Sequence, residues 1–201
     1  MRIVISGFPG TGKTTLVKAL SDKYQLPIIK ENMIKIGEIN RQINHAINQN
    51  KRDALSNLLK DYVKSFVEWD SDRSDAYKRH QSFVADRWEV DLINYWLLSS
   101  KSLSPNTSSI TLKLLNNLKQ KSKSIDFAVL TPMLKPFSSD MNEEGNVRKT
   151  GYTNHLRDMV TNVGLIKAYT NTPLIMLPEL PMTINERVEY VDTFINRFPY
   201  N

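Results

Sequence analysis

Gly7-Phe8-Pro9-Gly10-Thr11-Gly12-Lys13-Thr14 sets three glycines, a lysine and a hydroxyl residue at the spacing G-x-x-x-x-G-K-[ST]. These residue types can hold a chain of phosphates. Gly7, Gly10 and Gly12 let the backbone curl tightly and come close to an anion. With Pro9 and Thr11 completing the loop, successive N–H groups point inward, and the start of a following helix adds partial positive charge. Lys13 can reach the β- and γ-phosphates, and the Thr14 hydroxyl can ligate Mg²⁺. Thr15 is placed to donate to the α-phosphate. A loop of this kind needs a strand before it and a helix after it. Arg2-Ile3-Val4-Ile5-Ser6 reads as a buried strand, and residues 14–20 read as a helix.

The rest of the chain must position that loop. Pro27-Ile28-Ile29-Lys30 reads as a second strand. Ile36, Ile39, Ile43 and Ile47 recur at three- and four-residue spacing, which predicts a helix over 33–49. Leu55, Leu58, Leu59, Tyr62, Val63 and Phe66 predict another over 53–69, and 71–79 reads as a loop or helix end. Residues 81–85 form a third strand ending at Asp86-Arg87, followed by a helix over 88–98. The breaker-rich stretch 99–109 is a loop, and 110–120 is helical. A fourth strand covers 125–130. Residues 131–150 have no sustained periodicity, and helical spacing resumes over 154–163. Residues 173–177 are a fifth strand, and Thr183-Ile184-Asn185-Glu186 matches a capping box that opens the last helix. Strands alternating with helices predict an α/β fold: three layers, α/β/α, around a mainly parallel five-stranded sheet. Ligands then lie beyond the carboxyl ends of the strands. The glycine loop, Glu31, Asp86 and the segment from Thr131 all follow strand ends.

The 201 residues suit one domain over 1–201 with a real core. With 40% apolar and 24% charged residues, the composition is that of a globular chain. Without cysteine there are no disulfides, no thiolate metal sites and no cysteine nucleophile. No apolar run is long enough to cross a bilayer, and the amino end does not read as a secretory signal, so a cytoplasmic location with no membrane partner is expected. The net charge of +6 favours anionic ligands: nucleotides, phosphorylated small molecules or nucleic acid. His45, His80 and His155 lack metal-ligand spacing, and Trp69, Trp88 and Trp96 lie in or beside apolar stripes, which places them in the core.

Several phosphate-loop classes are excluded by what is missing. There is no Asn-Lys-x-Asp guanine reader and no Leu-Ser-Gly-Gly signature. Asp86 is followed by Arg87, where many motor ATPases carry a water-activating Glu. With its glycine loop, Glu31 after the second strand, Asp86-Arg87 after the third and an Arg-bearing segment after the fourth, the chain resembles the P-loop nucleoside and nucleotide kinases. In particular it resembles the small AAA-like ATPase/kinase family that includes the kinase domain of nicotinamide riboside kinases. The resemblance implies a P-loop kinase fold with ATP and Mg²⁺ as cofactors. It implies that Asp86 holds Mg²⁺ through water or accepts the acceptor's proton, and that Arg87 binds phosphate bidentately. Glu31 stands where deoxynucleoside kinases place a carboxylate base. Arg148, Lys149 and Arg157 would belong to a lid over about 131–157 whose arginines neutralise the phosphoryl group in flight. Residues 33–69 would cover the acceptor.

The expected activity is therefore phosphoryl transfer from ATP to a nucleoside, nucleotide or related ribosyl small molecule. The basic balance leaves a polynucleotide or modified DNA base as the alternative acceptor. An ATPase switch with a protein partner is the alternative from another class.

Overall fold

The computed structural model describes residues 1–49, 52–100, 107–132 and 149–197. Its centre is β1 (Arg2–Gly7), bonded in parallel to β3 (Phe83–Asp86) on one side and to β4 (Phe127–Thr131) on the other. Outside these lie β2 (Ile28–Ile29), beside β3, and β5 (Leu174–Met176), beside β4. The order is β2-β3-β1-β4-β5 and every pairing is parallel. Every residue of β3 and β4 is buried, which is why their sequences run apolar without alternating. From β1 the chain passes to β2 and β3 on one side and then crosses to β4 on the other. The reversal puts a crevice at the carboxyl end of β1, where a ligand fits in such sheets.

Helices cover both faces. One face carries α1 (Lys13–Tyr24) and α7 (Ile184–Arg197), whose Leu16, Val17, Leu20, Val188, Val191 and Ile195 pack on Ile3, Ile5 and Val129. The other carries α2 (Ile34–Asn48), α3 (Arg52–Arg79), α4 (Glu89–Ser100), α5 (Thr107–Lys121) and α6 (Lys149–Tyr169). Ile36, Ile39, Ile43, Tyr62 and Phe66 are buried there, as their spacing requires. Trp69, Trp88 and Trp96 are core residues too, each contributing about 2–3 kcal/mol of apolar burial. Thr183 and Glu186 form the expected capping box: Thr183 N donates to Glu186 Oε2 at 2.7 Å, and Glu186 N to Thr183 Oγ1 at 3.3 Å.

Three boundaries differ from expectation. The helix read as ending at Trp69 continues to Arg79 as α3. Its outward residues Ser71, Asp72, Asp75 and Lys78 are polar, but Arg73, Ala76 and Tyr77 keep the inward spacing, and Tyr77 stacks on Phe83 at 4.8 Å. The helix expected over 154–163 runs from Lys149 to Tyr169, and α5 starts at Thr107 inside the expected loop. Residues 133–148, most of the expected lid, lie outside the described residues.

Candidate functional site

The glycine loop joins β1 to α1 at the carboxyl edge of the sheet. Gly7 has φ +149°, and a Cβ there would stand 2.2 Å from Thr131 Oγ1 and 2.5 Å from the Thr131 carbonyl. No side chain fits, so glycine is required by contact as well as by conformation. Gly12, at φ +83°, turns the chain into α1. Thr131, at the end of β4, donates to Ser6 O at 3.0 Å and shares a 2.7 Å hydrogen bond with Thr11 Oγ1. A neighbouring strand thus fixes the shape of the loop. Arg187, from the first turn of α7, donates to the Thr11 carbonyl at 2.8 Å and steadies the loop from the other side. Phe8 meets the edge of the His155 ring at 5.9 Å.

Lys13 is buried and its Nζ donates to the Phe8 carbonyl at 2.9 Å. Burial, followed by the nearby Arg87 guanidinium, pushes its ammonium down to about 8, while Asp91, Asp86 and Glu31 pull the other way. Thr14 and Thr15 are exposed at the start of α1, as are Pro9 and Gly10 in the loop.

Asp86 ends β3 beside the loop. Its Oδ2 accepts from Thr14 Oγ1 at 2.7 Å. Its Oδ1 is buried and accepts no hydrogen bond among the described residues. A hydroxyl and a carboxylate side by side, one oxygen still unsatisfied, form a hard-oxygen pair that fits Mg²⁺. Among the described residues no group of three or more His, Cys, Asp or Glu side chains is arranged to hold a metal ion.

Arg87, the next residue, has φ +65°, a left-handed backbone that a side chain of this kind rarely adopts. It is held from several directions. Nε lies 2.7 Å from Glu31 Oε1, Nη1 lies 3.3 Å from Asp91 Oδ1, and the guanidinium sits 5.5 Å from the Tyr95 ring centre. Burial opposes its charge, but Asp91, Tyr95 and Glu31 together outweigh that and hold its pKa above the ordinary arginine value. Glu31, after β2, is about one-third exposed and so open to solvent on one side.

The structure therefore brings together the loop Gly7–Thr15, Asp86, Arg87 and Glu31. It leaves Arg157 apart: this side chain is 48% exposed on α6 and pairs with its neighbour Asp158 at 3.4 Å. Arg148 lies outside the described residues, and Lys149 is the first residue of α6. Sequence reasoning missed Arg187, Thr131 and Asp91. For Asp91 a faint signal existed, since it carries the opposite charge four residues after Arg87.

The sequence profile of the AAA domain matches residues 2–170. The chain belongs to the AAA-domain family. No curated protein matches it in sequence. Among solved structures, this AAA-domain chain is similar to deoxyadenosine kinase from M. mycoides with bound dCTP, at TM-score 0.62 and 16% identity, covering 98% of this chain and 100% of that one. Thymidylate kinase from Candida albicans gives 0.56 and 15%, covering 97% and 90%. The YorR protein from Bacillus subtilis gives 0.55 and 12%, covering 98% and 96%. At these identities the likeness is one of fold: the three-layer α/β arrangement of P-loop kinases. Among the described residues no helix is long and apolar enough to cross a membrane.

Proposed function

We propose that the protein is an ATP- and Mg²⁺-dependent phosphotransferase acting on a hydroxyl of a nucleoside, nucleotide or related ribosyl small molecule. The observation that carries this reading is the juxtaposition at one sheet edge of a phosphate loop, the Thr14–Asp86 oxygen pair and the Glu31–Arg87 ion pair. The AAA-domain match and the fold shared with kinases that take nucleosides or nucleotides support it.

Each residue then has a task. The loop N–H groups and the start of α1 bind the β- and γ-phosphates. Lys13 leaves the Phe8 carbonyl for a phosphate oxygen, a stronger, charge-assisted bond. Thr14 and Asp86 would hold Mg²⁺, which when bound neutralises charge on the transferring group. Glu31 accepts the proton of the acceptor hydroxyl as that oxygen bonds to the γ-phosphorus, the β–γ bridging bond breaks and ADP leaves. Arg87 stabilises charge on the phosphoryl oxygens. A hydrolase would need a group to activate water beside Asp86. The next residue here is a cation already engaged by two carboxylates.

The test is incubation with γ-labelled ATP and Mg²⁺ against a panel of nucleosides, nucleotides, nicotinamide riboside and 5′-hydroxyl oligonucleotides. Label on a nucleoside, nucleotide or ribosyl compound, lost in Lys13→Ala and in Asp86→Asn, is the expected result. Label found only as inorganic phosphate would overturn the kinase reading, and label found only on the oligonucleotide would move the acceptor to the polymer.

A further inference from the structure

Arg87 carries its charge on a left-handed, strained backbone, and something must hold its side chain in register. Glu31 cannot do this alone, because it is partly open to solvent and its proposed task is to meet the acceptor. Behind Arg87 stands Asp91, which is 2% exposed and lies on the first turn of α4. Its two oxygens do different work. Oδ2 accepts from Ser6 Oγ at 2.6 Å and from Trp88 N at 3.2 Å. Ser6 Oγ also accepts from Trp88 Nε1 at 2.8 Å. This oxygen is therefore fixed to β1, immediately before the phosphate loop, and to the start of α4. Oδ1 faces Arg87 Nη1 at 3.3 Å, and Nη1 also reaches the Gly7 carbonyl at 3.4 Å. Nε lies 2.7 Å from Glu31 Oε1 as an ion pair but makes no hydrogen bond among the described residues, Nη1 bonds Asp91 and Gly7, and no hydrogen bond is made by Nη2 either.

We infer that Asp91 is a positioning residue for the transfer step: anchored to the phosphate-loop strand through Ser6, it clamps the Nη1 corner of Arg87 so that Nη2 is presented to the phosphoryl group. This rests on the phosphotransfer reading above. A role in capping α4 would need only the oxygen that Trp88 N donates to. The second oxygen turned onto Arg87 is what a cap does not require. The clamp also ties the loop that holds the donor to the guanidinium that meets the transferring group, so the two move as one body.

Asp91→Asn separates the roles, because the amide oxygen can still accept from Ser6 and Trp88 while its NH2 cannot accept from Arg87. The expected result is a kcat about 10-fold to 100-fold lower with KM for ATP unchanged, the scale of losing alignment of one charge-stabilising donor. In an Arg87→Ala background the same change should add nothing, since Asp91 then has nothing to position. Losses that multiply across the two backgrounds would overturn the proposal. Ser6→Ala, which frees the anchored oxygen without touching charge, serves as a second probe and should show a smaller loss of the same kind; an unchanged kcat in both Asp91→Asn and Ser6→Ala would also overturn it. A separate readout needs no turnover: the Arg87 Nε–H signal in ¹⁵N NMR, assigned by its loss in Arg87→Ala, should shift and exchange faster with solvent in Asp91→Asn. A signal that stays in place refutes the clamp. If the wild-type protein labels no acceptor, the phosphotransfer reading fails by itself, and the NMR result still decides whether Asp91 holds Arg87.

Discussion

The two faces of the sheet treat charge in opposite ways. On the α1–α7 face the packed cluster is apolar, Lys13 is buried only at the loop end of α1, and ion pairs stay at the rim: Lys23 meets Glu189 at 3.0 Å and Asp192 at 3.2 Å, with Lys23 30% and Glu189 70% exposed. On the α2–α6 face charges go inside. Arg73, Arg87, Glu89 and Asp91 are buried, and Lys121 bridges α3 to α4 by reaching Asp70 Oδ1 at 2.6 Å and Glu89 Oε1 at 3.2 Å. Burying ions costs several kcal/mol each unless partners surround them. On the phosphotransfer reading proposed above, the α1 side takes the triphosphate and needs few side-chain charges, because backbone N–H groups and a helix start attract an anion. On the same reading the α2–α6 side meets the acceptor, and among the described residues its field is built from side chains, each of which must be held.

Breaking the buried network should have the largest effect on stability. Lys121→Met leaves buried Glu89 and half-buried Asp70 without their cation. The expected cost is about 3–5 kcal/mol, a fall of roughly 10 °C in Tm for a chain of this size. The matching change on the other face, Lys23→Met, should leave Tm nearly unchanged, because that pair is solvated. Thermal melts of the two variants side by side make the comparison. Equal shifts would mean that the faces do not differ. Adding Asp70→Asn and Glu89→Gln to Lys121→Met should restore most of the loss, since neutral groups are cheaper to bury than orphaned charges.

What could be read from the sequence divides along the same line. The loop side was legible because its information is local: Gly7 to Thr15, the strand before and the helix after occupy one short segment. Asp86, Arg87 and Glu31 were legible as strand-end residues, and the structure sets the Glu31 and Arg87 side chains against each other at 2.7 Å. The partners that hold them were not legible. Asp91 meets Ser6 across 85 positions, Arg187 meets Thr11 across 176, and Arg73 reaches the Ile29 carbonyl across 44. No periodicity encodes such pairings, and only the closed sheet brings them together. The end of α3 was misread for a related reason. Its outer face is polar like a loop, and an inward arginine, Arg73, takes the place of an apolar residue by stacking its guanidinium 4.7 Å from the Trp69 ring centre.

A medium effect should sharpen the loop side. Arg187→Ala removes the donor to the Thr11 carbonyl, a hydrogen bond from a charged group worth about 1.5–3 kcal/mol. Because the bond shapes the loop rather than the core, the loss should fall on nucleotide affinity, at least about tenfold by titration calorimetry, with Tm nearly unchanged. A lowered Tm with intact affinity would instead make Arg187 part of the α1–α7 packing.

The smallest effect belongs to the rim of that same face. Asp192 accepts from the Tyr24 hydroxyl at 2.5 Å, and this bond, ahead of the contact with Lys23, holds its carboxyl below the usual carboxylate range. A carboxyl whose folded pKa is depressed adds stability that is present above the unfolded value near about 4 and is lost as pH falls through the folded value. Asp192→Asn should therefore cost about 1 kcal/mol or less at pH 7, given how much of the pair is solvated, and the gap to the wild type should be narrower at a pH below the unfolded value near about 4. Urea midpoints at the two pH values measure it. A gap that persists at low pH would assign the contact to packing of the Tyr24 ring instead of to the charge, and would remove the rim ion pairs from the comparison between the faces.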